Sequence, residues 1–332
     1  MKKIKIAQIG TSQNSHGNDI WNTLKRLSDI FEIVGYALPE NEEEKFKNRM
    51  ADFDGYKKMS VEQILSDNQI EAVTIETEEI YLTKYALMAA KSSKHIHMEK
   101  PGGVALADFE ELIKIMKSTG KVFHTGYMYR YNPYITELMQ SIKNGELGEI
   151  ISVEAQMNCI HPKNTRQWLE NFPGGMMFFL GCHLIDLVLQ IKGKPEKIIP
   201  YNRCSGLDGV TAKDFGMAVF EYKNGVSFVK TSAAELGGFE RRQLVVTGSK
   251  ATVELKPLEW YVPGTADLQT HRSVRTCTDW NQKTAEEICA PCNRYDTMMK
   301  SFAEYIREIK QNPFTLDYES ELYKTVLKCC GK

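Results

Sequence analysis

Side chains that can move protons or steady charge stand in three informative contexts in this chain of 332 residues. The tripeptide Glu99-Lys100-Pro101 closes an alternating segment, 94–98, that reads as the end of a parallel strand. Proline locks its own φ, restricts the residue before it and lowers the trans preference of the preceding bond to about 0.5–1 kcal/mol. The Lys100 ammonium can therefore be held at a strand's C-terminal edge, toward a cleft. Taken alone, the tripeptide fits a surface lysine before a loop equally well. His183 follows Gly174-Gly175 and Gly181 on a helix, and imidazole, with an ordinary pKa near about 6.5, suits a base at neutral pH. Asp186, three residues on, shares the helix face and can orient or charge-stabilise that ring. A lone helical histidine is also a common core residue.

A second set of residues bears on anion binding. Gly10-Thr11-Ser12-Gln13-Asn14-Ser15-His16-Gly17 lies between a strand, 4–9, and a helix, 18–28. It keeps the first glycine of G-x-G-x-x-G and places Ser12 and Ser15 at the second and third positions. N–H groups at a helix N-terminus still suit a pyrophosphate, although close backbone approach is harder than with glycine. Past the second strand, Leu38-Pro39-Glu40 makes Glu40 the nearest carboxylate for an adenosine ribose. No arginine is adjacent to favour a 2′-phosphate, so the choice between NAD and NADP stays open. Thr77 follows the third strand together with Glu78 and Glu79, whose carboxylates repel a pyrophosphate unless they turn to solvent or to a substrate.

The elements that must position these groups alternate through the first third. Strands are expected at 4–9, 31–37, 72–75, 94–98 and 122–126, with helices at 18–28, 60–66, 81–92 and 107–118. Alternation at this spacing implies a parallel sheet covered by helices, the doubly wound, dinucleotide-binding class. After Tyr131-Asn132-Pro133 the pattern changes. A helix at 134–144 and one around His183 accompany strand-like segments at 149–157, 197–201, 216–222, 226–233, 243–247 and 251–255, with a hairpin signal at Lys223-Asn224-Gly225. An antiparallel sheet follows. The stretch 267–291 is polar and is left unassigned, and two closing helices, 295–309 and 320–330, are expected to pack back on the body.

Composition narrows the partners. Lys+Arg (42) and Asp+Glu (43) nearly cancel, without a basic stripe to neutralise phosphates, which argues against nucleic acid. The N-terminus has a positive start but no long apolar core, and no run approaches a membrane span, so a cytoplasmic protein with no membrane partner is expected. The eight cysteines all lie from Cys159 onward, a spread that does not read as a disulfide framework. Cys289-Ala290-Pro291-Cys292 imitates a redox or half-zinc motif, but no second pair or nearby histidine completes it, and no metal is expected.

Glu99-Lys100-Pro101, the segment Gly126 to Pro133 with its Arg130-Tyr131-Asn132-Pro133, the turn Gly145-Glu146-Leu147-Gly148-Glu149-Ile150, and Gly174-Gly175 followed by Gly181-Cys182-His183-Leu184-Ile185-Asp186 occur in order. With Trp168 and Arg294-Tyr295-Asp296, this order resembles the glucose-fructose oxidoreductase and inositol dehydrogenase family, Gfo/Idh/MocA, over nearly the whole chain. The resemblance implies hydride exchange between a nicotinamide cofactor and a carbinol carbon of a sugar-like or polyol substrate. Lys100 matches that family's cleft lysine and His183 its helix histidine. Gly10, Ser12, Ser15, Glu40, Thr77, Glu99 and Lys100 fall at cofactor positions, and Tyr127, Trp168 and His183 at substrate positions. Two departures accompany these matches: Phe179 stands four residues before His183, where a carboxylate is usual, and Leu38 stands where the family has aspartate.

The expectation is thus an α/β chain. A Rossmann-type doubly wound domain, 1–124, precedes a C-terminal α+β domain, 125–332, with a large open, mainly antiparallel sheet that serves as a homodimer or homotetramer interface. The leading function is an NAD(P)-dependent dehydrogenase or reductase. Two alternatives stay open: a non-catalytic dinucleotide- or sugar-binding regulator, and an enzyme that uses bound NAD for transient oxidation during hydrolysis or elimination.

Overall fold

The computed structural model describes residues 2–276, 278–280 and 286–332. Two compact units make up the chain: Met1–Tyr127 with Tyr295–Tyr323, and Met128–Arg294 with Lys324–Lys332. The boundary therefore falls at 127/128 rather than 124/125. The segment 295–323, expected in the second domain, belongs with the first.

In the first unit the chain runs β1 (Ile4–Ile9), α1 (Gly17–Arg26), β2 (Phe31–Ala37), α2 (Glu42–Lys45), α3 (Val61–Ser66), β3 (Ala72–Ile75), α4 (Leu82–Lys91), β4 (His95–Met98), α5 (Leu106–Thr119) and β5 (Phe123–Thr125). The five strands pair in the order β2-β1-β3-β4-β5, all parallel. Every residue of β3 is buried, as an apolar strand covered on both faces requires. The strand order reverses between β1 and β3, and ligands of such sheets bind outside the carboxyl ends of the strands at that switch. Gly10 and Thr77 sit there. α1 buries Ile20, Trp21 and Leu24 along one face, with Trp21 packed on Phe53. Ser60 and Gln63 form a capping box that starts α3.

The second unit begins with α6 (Pro133–Lys143), β6 (Ile150–Asn158), α7 (Lys163–Trp168) and α8 (Cys182–Lys192). It continues through β7 (Lys197–Arg203), β8 (Phe215–Glu221), β9 (Val226–Ser232), β10 (Gln243–Gly248), β11 (Thr252–Leu255), β12 (Trp260–Tyr261), β13 (Leu268–Gln269), β14 (His271–Arg275) and β15 (Glu286–Ile288). Eight of these strands form a sheet in the order β15-β14-β11-β10-β6-β9-β8-β7. The sheet is mixed, since β6 and β9 run parallel while its other neighbours are antiparallel. One face is buried, as the alternation in β8 shows: Gly216, Ala218 and Phe220 are buried between half-covered neighbours. The unassigned stretch 267–291 contains β13, β14 and β15. Its charged strand residues lack the apolar alternation that announces a strand, and pairing of β14 with β11 supplies the order instead.

Two helices close the chain. α9 (Asp296–Ile306) packs in the first unit, where Phe302 stacks on His124 of β5 at 5.2 Å between ring centroids. α10 (Leu316–Cys329) gives 316–323 to the first unit and 324–329 to the second. Among the described residues no helix is long and apolar enough to cross a membrane.

Gly174 and Gly175 have φ of 69° and 56°, the left-handed region, and turn the chain toward α8. A Cβ on Gly175 would come 2.1 Å from the Lys213 carbonyl oxygen, which also accepts the Met176 N–H at 2.9 Å. Gly175→Ala thus faces both a strained φ and a backbone clash. It is expected to lower stability by roughly 1–3 kcal/mol in urea titration, whereas an unchanged midpoint would mean the turn relaxes freely.

Candidate active site

In the first unit the site is built on the carboxyl ends of β1, β3 and β4. Gly10 has φ 90°, and a Cβ there would approach Thr77 Cγ2 to 2.4 Å, so glycine is required for the loop to seat against Thr77. Gln8, fully buried, donates through Nε2 to the carbonyls of Gly10 (3.0 Å) and Gly17 (3.1 Å) and so braces both ends of the loop. Arg49 braces its outer side, donating to Gln13 O at 2.7 Å. Ser12 and Ser15 close on each other: the Ser15 hydroxyl oxygen accepts from the N–H of Ser12 (3.2 Å) and of Gly17 (3.3 Å). The serines thus stabilise the turn from within, a role the glycine motif leaves to ligand and solvent.

Glu40 is directed elsewhere than expected. Its φ is 57°, and its Oε1 accepts from Lys84 Nζ at 2.6 Å and Tyr85 Oη at 2.7 Å, bonds that hold this carboxyl below its usual pKa. Glu42 reaches the loop instead, its Oε2 accepting the Thr11 N–H at 3.1 Å. Burial pushes the Glu42 carboxyl up to about 9, against the Thr11 hydrogen bond. Glu42 lies in an acidic run, 42–44, whose composition suits a solvated face, so its place against the loop was not legible from sequence.

Lys100 lies just beyond β4, buried together with Glu99, whose Oε1 is 3.6 Å from Lys100 Nζ. The Lys100–Pro101 bond is cis. Glu99 in turn packs on Gly126, where a Cβ would stand 2.8 Å from Glu99 Oε2. Glu76 and Glu79 are also buried, and neither turns to solvent. Burial raises the Glu79 carboxyl from 4.5 to about 7 against the opposing charge of Lys100, and raises Glu76 well above the usual range, with Glu99 adding to the effect. Of the two carboxylates expected to repel a pyrophosphate, Glu78 is half-buried and paired with Lys45 at 3.5 Å, while Glu79 is buried and pushed toward its neutral form. Behind Glu76, His97 Nε2 lies 3.6 Å from its Oε1, and His97 Nδ1 lies 2.7 Å from His124 Nδ1. Burial lowers His97 to about 3, so it is neutral. Tyr127, also buried, ends this unit.

In the second unit a π-helical turn, Met177–Gly181, runs directly into α8 and delivers His183. Five residues per bonded loop change the angular step, so counting four back from His183 to Phe179 does not follow the α-helical face. Phe179 packs edge-on against Trp168, with ring centroids 5.2 Å apart. His183 is buried, and its ring meets Tyr129 edge-on at 5.5 Å. Asp186 is committed to Arg130, which donates through Nε (3.0 Å) and Nη2 (2.8 Å), and to Gln190 Nε2 (2.9 Å). The Arg130 guanidinium, in the residue after Tyr129, is thus a bidentate partner of the carboxylate expected to support His183. Sequence reading marked Arg294 but missed its partners, the buried Glu259 and Arg242, with which it forms an ion-pair group. Burial pushes Glu259 up, but Arg294 and Arg242 hold it below its usual pKa, and this carboxylate opposes ionisation of Tyr129.

Among the described residues no group of three or more His, Cys, Asp or Glu side chains is placed to hold a metal ion. Cys289 and Cys292 are free thiols. The Thr270 N–H donates to Cys289 Sγ at 2.9 Å, and burial pushes Cys292 up to about 11, which disfavours the reactive thiolate.

The raised Glu79 pKa has a definite sign. Between about pH 4.5 and 7 the folded chain keeps a proton that the unfolded chain releases, so stability falls as pH rises through this window, by on the order of 3 kcal/mol in all. Urea unfolding at about pH 5 and about pH 8 is expected to show a smaller difference for Glu79→Gln than for the wild type. Equal differences would contradict the assignment.

Residues 4–127 match the oxidoreductase family, NAD-binding Rossmann fold, and residues 135–254 match the GFO/IDH/MocA C-terminal domain. An uncharacterised oxidoreductase of Rhizobium meliloti is 22% identical over 267 residues, 78% of this chain and 76% of its own. The myo-inositol 2-dehydrogenase of Thermotoga maritima is 21% identical over 239 residues, 69% of this chain and 70% of its own. The trans-1,2-dihydrobenzene-1,2-diol dehydrogenase of Bos taurus is 26% identical over 209 residues, 60% of this chain and 59% of its own. With two further relatives the match spans 54% of their length. The crystal structure of a 3-ketoreductase from Actinomadura kijaniata, in complex with NADP, superposes with TM-score 0.77 at 15% identity, over 98% of this chain and 96% of that one, a likeness of fold. The chain belongs to the Gfo/Idh/MocA family of oxidoreductases, whose N-terminal domain is an NAD-binding Rossmann fold.

Proposed function

We propose that the protein is an NAD- or NADP-dependent dehydrogenase or reductase acting on a carbinol carbon of a sugar-like or polyol substrate. The observation that carries this reading is Lys100, a buried lysine held beside Glu99 at the carboxyl end of the parallel sheet. Beside the loop, Glu42 keeps a buried oxygen, Oε1, without a hydrogen-bond donor, which supports a ligand bound there. The nicotinamide ring, when bound, supplies the hydride acceptor or donor. Gly10, Ser12, Ser15, Thr77 and Glu99 are the proposed cofactor contacts, and Tyr127 and Trp168 the proposed substrate contacts. In the oxidising direction Lys100 steadies the oxygen as its charge develops, and His183 takes the hydroxyl proton. Arg130 is held by Asp186, one helical turn from His183 on α8, and Tyr129, the residue before Arg130, packs edge-on against the His183 ring.

Relatives include the myo-inositol and dihydrobenzenediol dehydrogenases, whose names supply the polyol class. A second reading, a dinucleotide- or sugar-binding regulator, draws on Phe179: a phenyl ring packed on Trp168 can neither relay a proton nor fix an imidazole tautomer. The two separate by mutation. In an assay of sugars and polyols, Lys100→Met and His183→Ala are each expected to lower kcat/KM by about 10²- to 10⁴-fold with cofactor affinity nearly intact. Phe179→Ala is expected to change mainly KM. Activity that survives both the Lys100 and His183 replacements would overturn the mechanism.

We also propose a homodimer or homotetramer formed through the open face of the eight-stranded sheet. Val226 is exposed on this face and Val219, Phe228 and Val245 are half-buried beside it, and a second copy is the simplest cover for such a surface. Light scattering at micromolar concentration is expected to give two or four chains, and a stable monomer would refute it.

A further inference from the structure

We infer that Glu42, rather than Glu40, is the group that grips the adenosine ribose, and that it selects NAD over NADP. This rests on the dinucleotide reading above. Two successive left-handed residues, Glu40 (φ 57°) and Asn41 (φ 59°), reverse the chain after β2. The first sends its carboxylate to Lys84 and Tyr85 on α4. The reversal then starts α2 with Glu42 folded back on the loop, where its Oε2 takes the N–H of Thr11, the residue directly after Gly10.

The side chain is fully buried, yet Oε1 has no hydrogen-bond partner among the described residues. A buried carboxyl oxygen without a donor is unfavourable unless a ligand supplies one. A ribose offers such a donor in its 2′-hydroxyl, and an acid past the second strand is where a dinucleotide domain accepts it. Thr11 lies at the start of the loop, whereas a pyrophosphate seats at the N-terminus of the following helix, so Glu42 need not leave for the dinucleotide to enter. A 2′-phosphate meets the opposite environment. The charges acting on Glu42 include Glu40 and Glu78, and the cation among them, Lys45, lies 3.5 Å from Glu78. A 2′-phosphate brings no hydroxyl donor to that oxygen, so the preference for NAD comes from Glu42 itself.

Calorimetric titration of the full chain with NAD⁺ and NADP⁺ tests this in the wild type, Glu42→Ala, Glu42→Gln and Glu40→Ala. Glu42→Gln keeps an oxygen for the Thr11 N–H and so guards against a variant that fails only by misfolding. The wild type is expected to bind NAD⁺ at least about tenfold more tightly than NADP⁺, and both Glu42 variants to bring the two within about threefold. Glu40→Ala is expected to leave the ratio unchanged. Tighter binding of both dinucleotides by Glu42→Ala would make the carboxyl a plug and overturn the inference, as would a wild-type preference for NADP⁺ or a ratio that moves with Glu40 alone. No binding of either dinucleotide to the wild type at millimolar concentration would overturn the dinucleotide reading itself, and this inference with it.

Discussion

Burying a lysine among carboxyl groups at the end of a parallel sheet is the constraint on which the first unit depends. Lys100, Glu99, Glu76 and Glu79 are all withdrawn from water, and an isolated buried charge is tolerated only when it is paired or neutralised. The chain uses both routes. Glu99 stands beside Lys100 as a counter-charge, while Glu76 and Glu79 are pushed toward their neutral forms. The neighbouring backbone must then stay fixed, or water would enter and relax the arrangement. Thr83 Oγ1 donates to Gly102 O at 2.6 Å and Tyr323 Oη to Gly103 O at 3.1 Å, which pins the segment following Pro101. Gly126 leaves room for Glu99, and Gly10 for Thr77. Position and protonation state are thus set by the same burial.

The second unit meets a related constraint with different means. α8 is buried over most of its length, and its polar residues are held by named partners: Asp186 by Arg130 and Gln190. Breaking a buried, two-pronged pair of this kind leaves an uncompensated charge, so Arg130 and Asp186 are bound to one another structurally before any role in chemistry. The π-helical turn ahead of α8 lets the apolar run Met176 to Leu180 pack around Trp168 and Phe172 while His183 faces Tyr129. Such turns are frequent at functional sites.

Much of the architecture was legible because strand and helix periods are strong in the first unit. The five parallel strands, α1, α3, α4 and α5 follow from apolar runs and their punctuation, and the family motifs marked Lys100 and His183. What escaped depends on contacts between distant residues. Glu42 hides in an acidic run, and only the double left-handed turn at Glu40 and Asn41 brings it to Thr11. The spacing of His183 and Asp186 suggested a pair, but the stronger bidentate partner, Arg130, is 56 residues away in sequence. β14 and β15 carry charge without alternation, so register with β11 fixes them rather than local preference.

Hydride transfer between a nicotinamide ring and a carbinol carbon, the reaction proposed for this chain, leaves an isotopic trace. Incubation of the full protein with NAD⁺ or NADP⁺ and a panel of carbon-deuterated sugars and polyols, followed by mass analysis of the nicotinamide, tests it directly. Reduced cofactor carrying deuterium from at least one substrate is expected. Reduced cofactor without deuterium, or no reduction with any member of the panel although the dinucleotide binds, would contradict it.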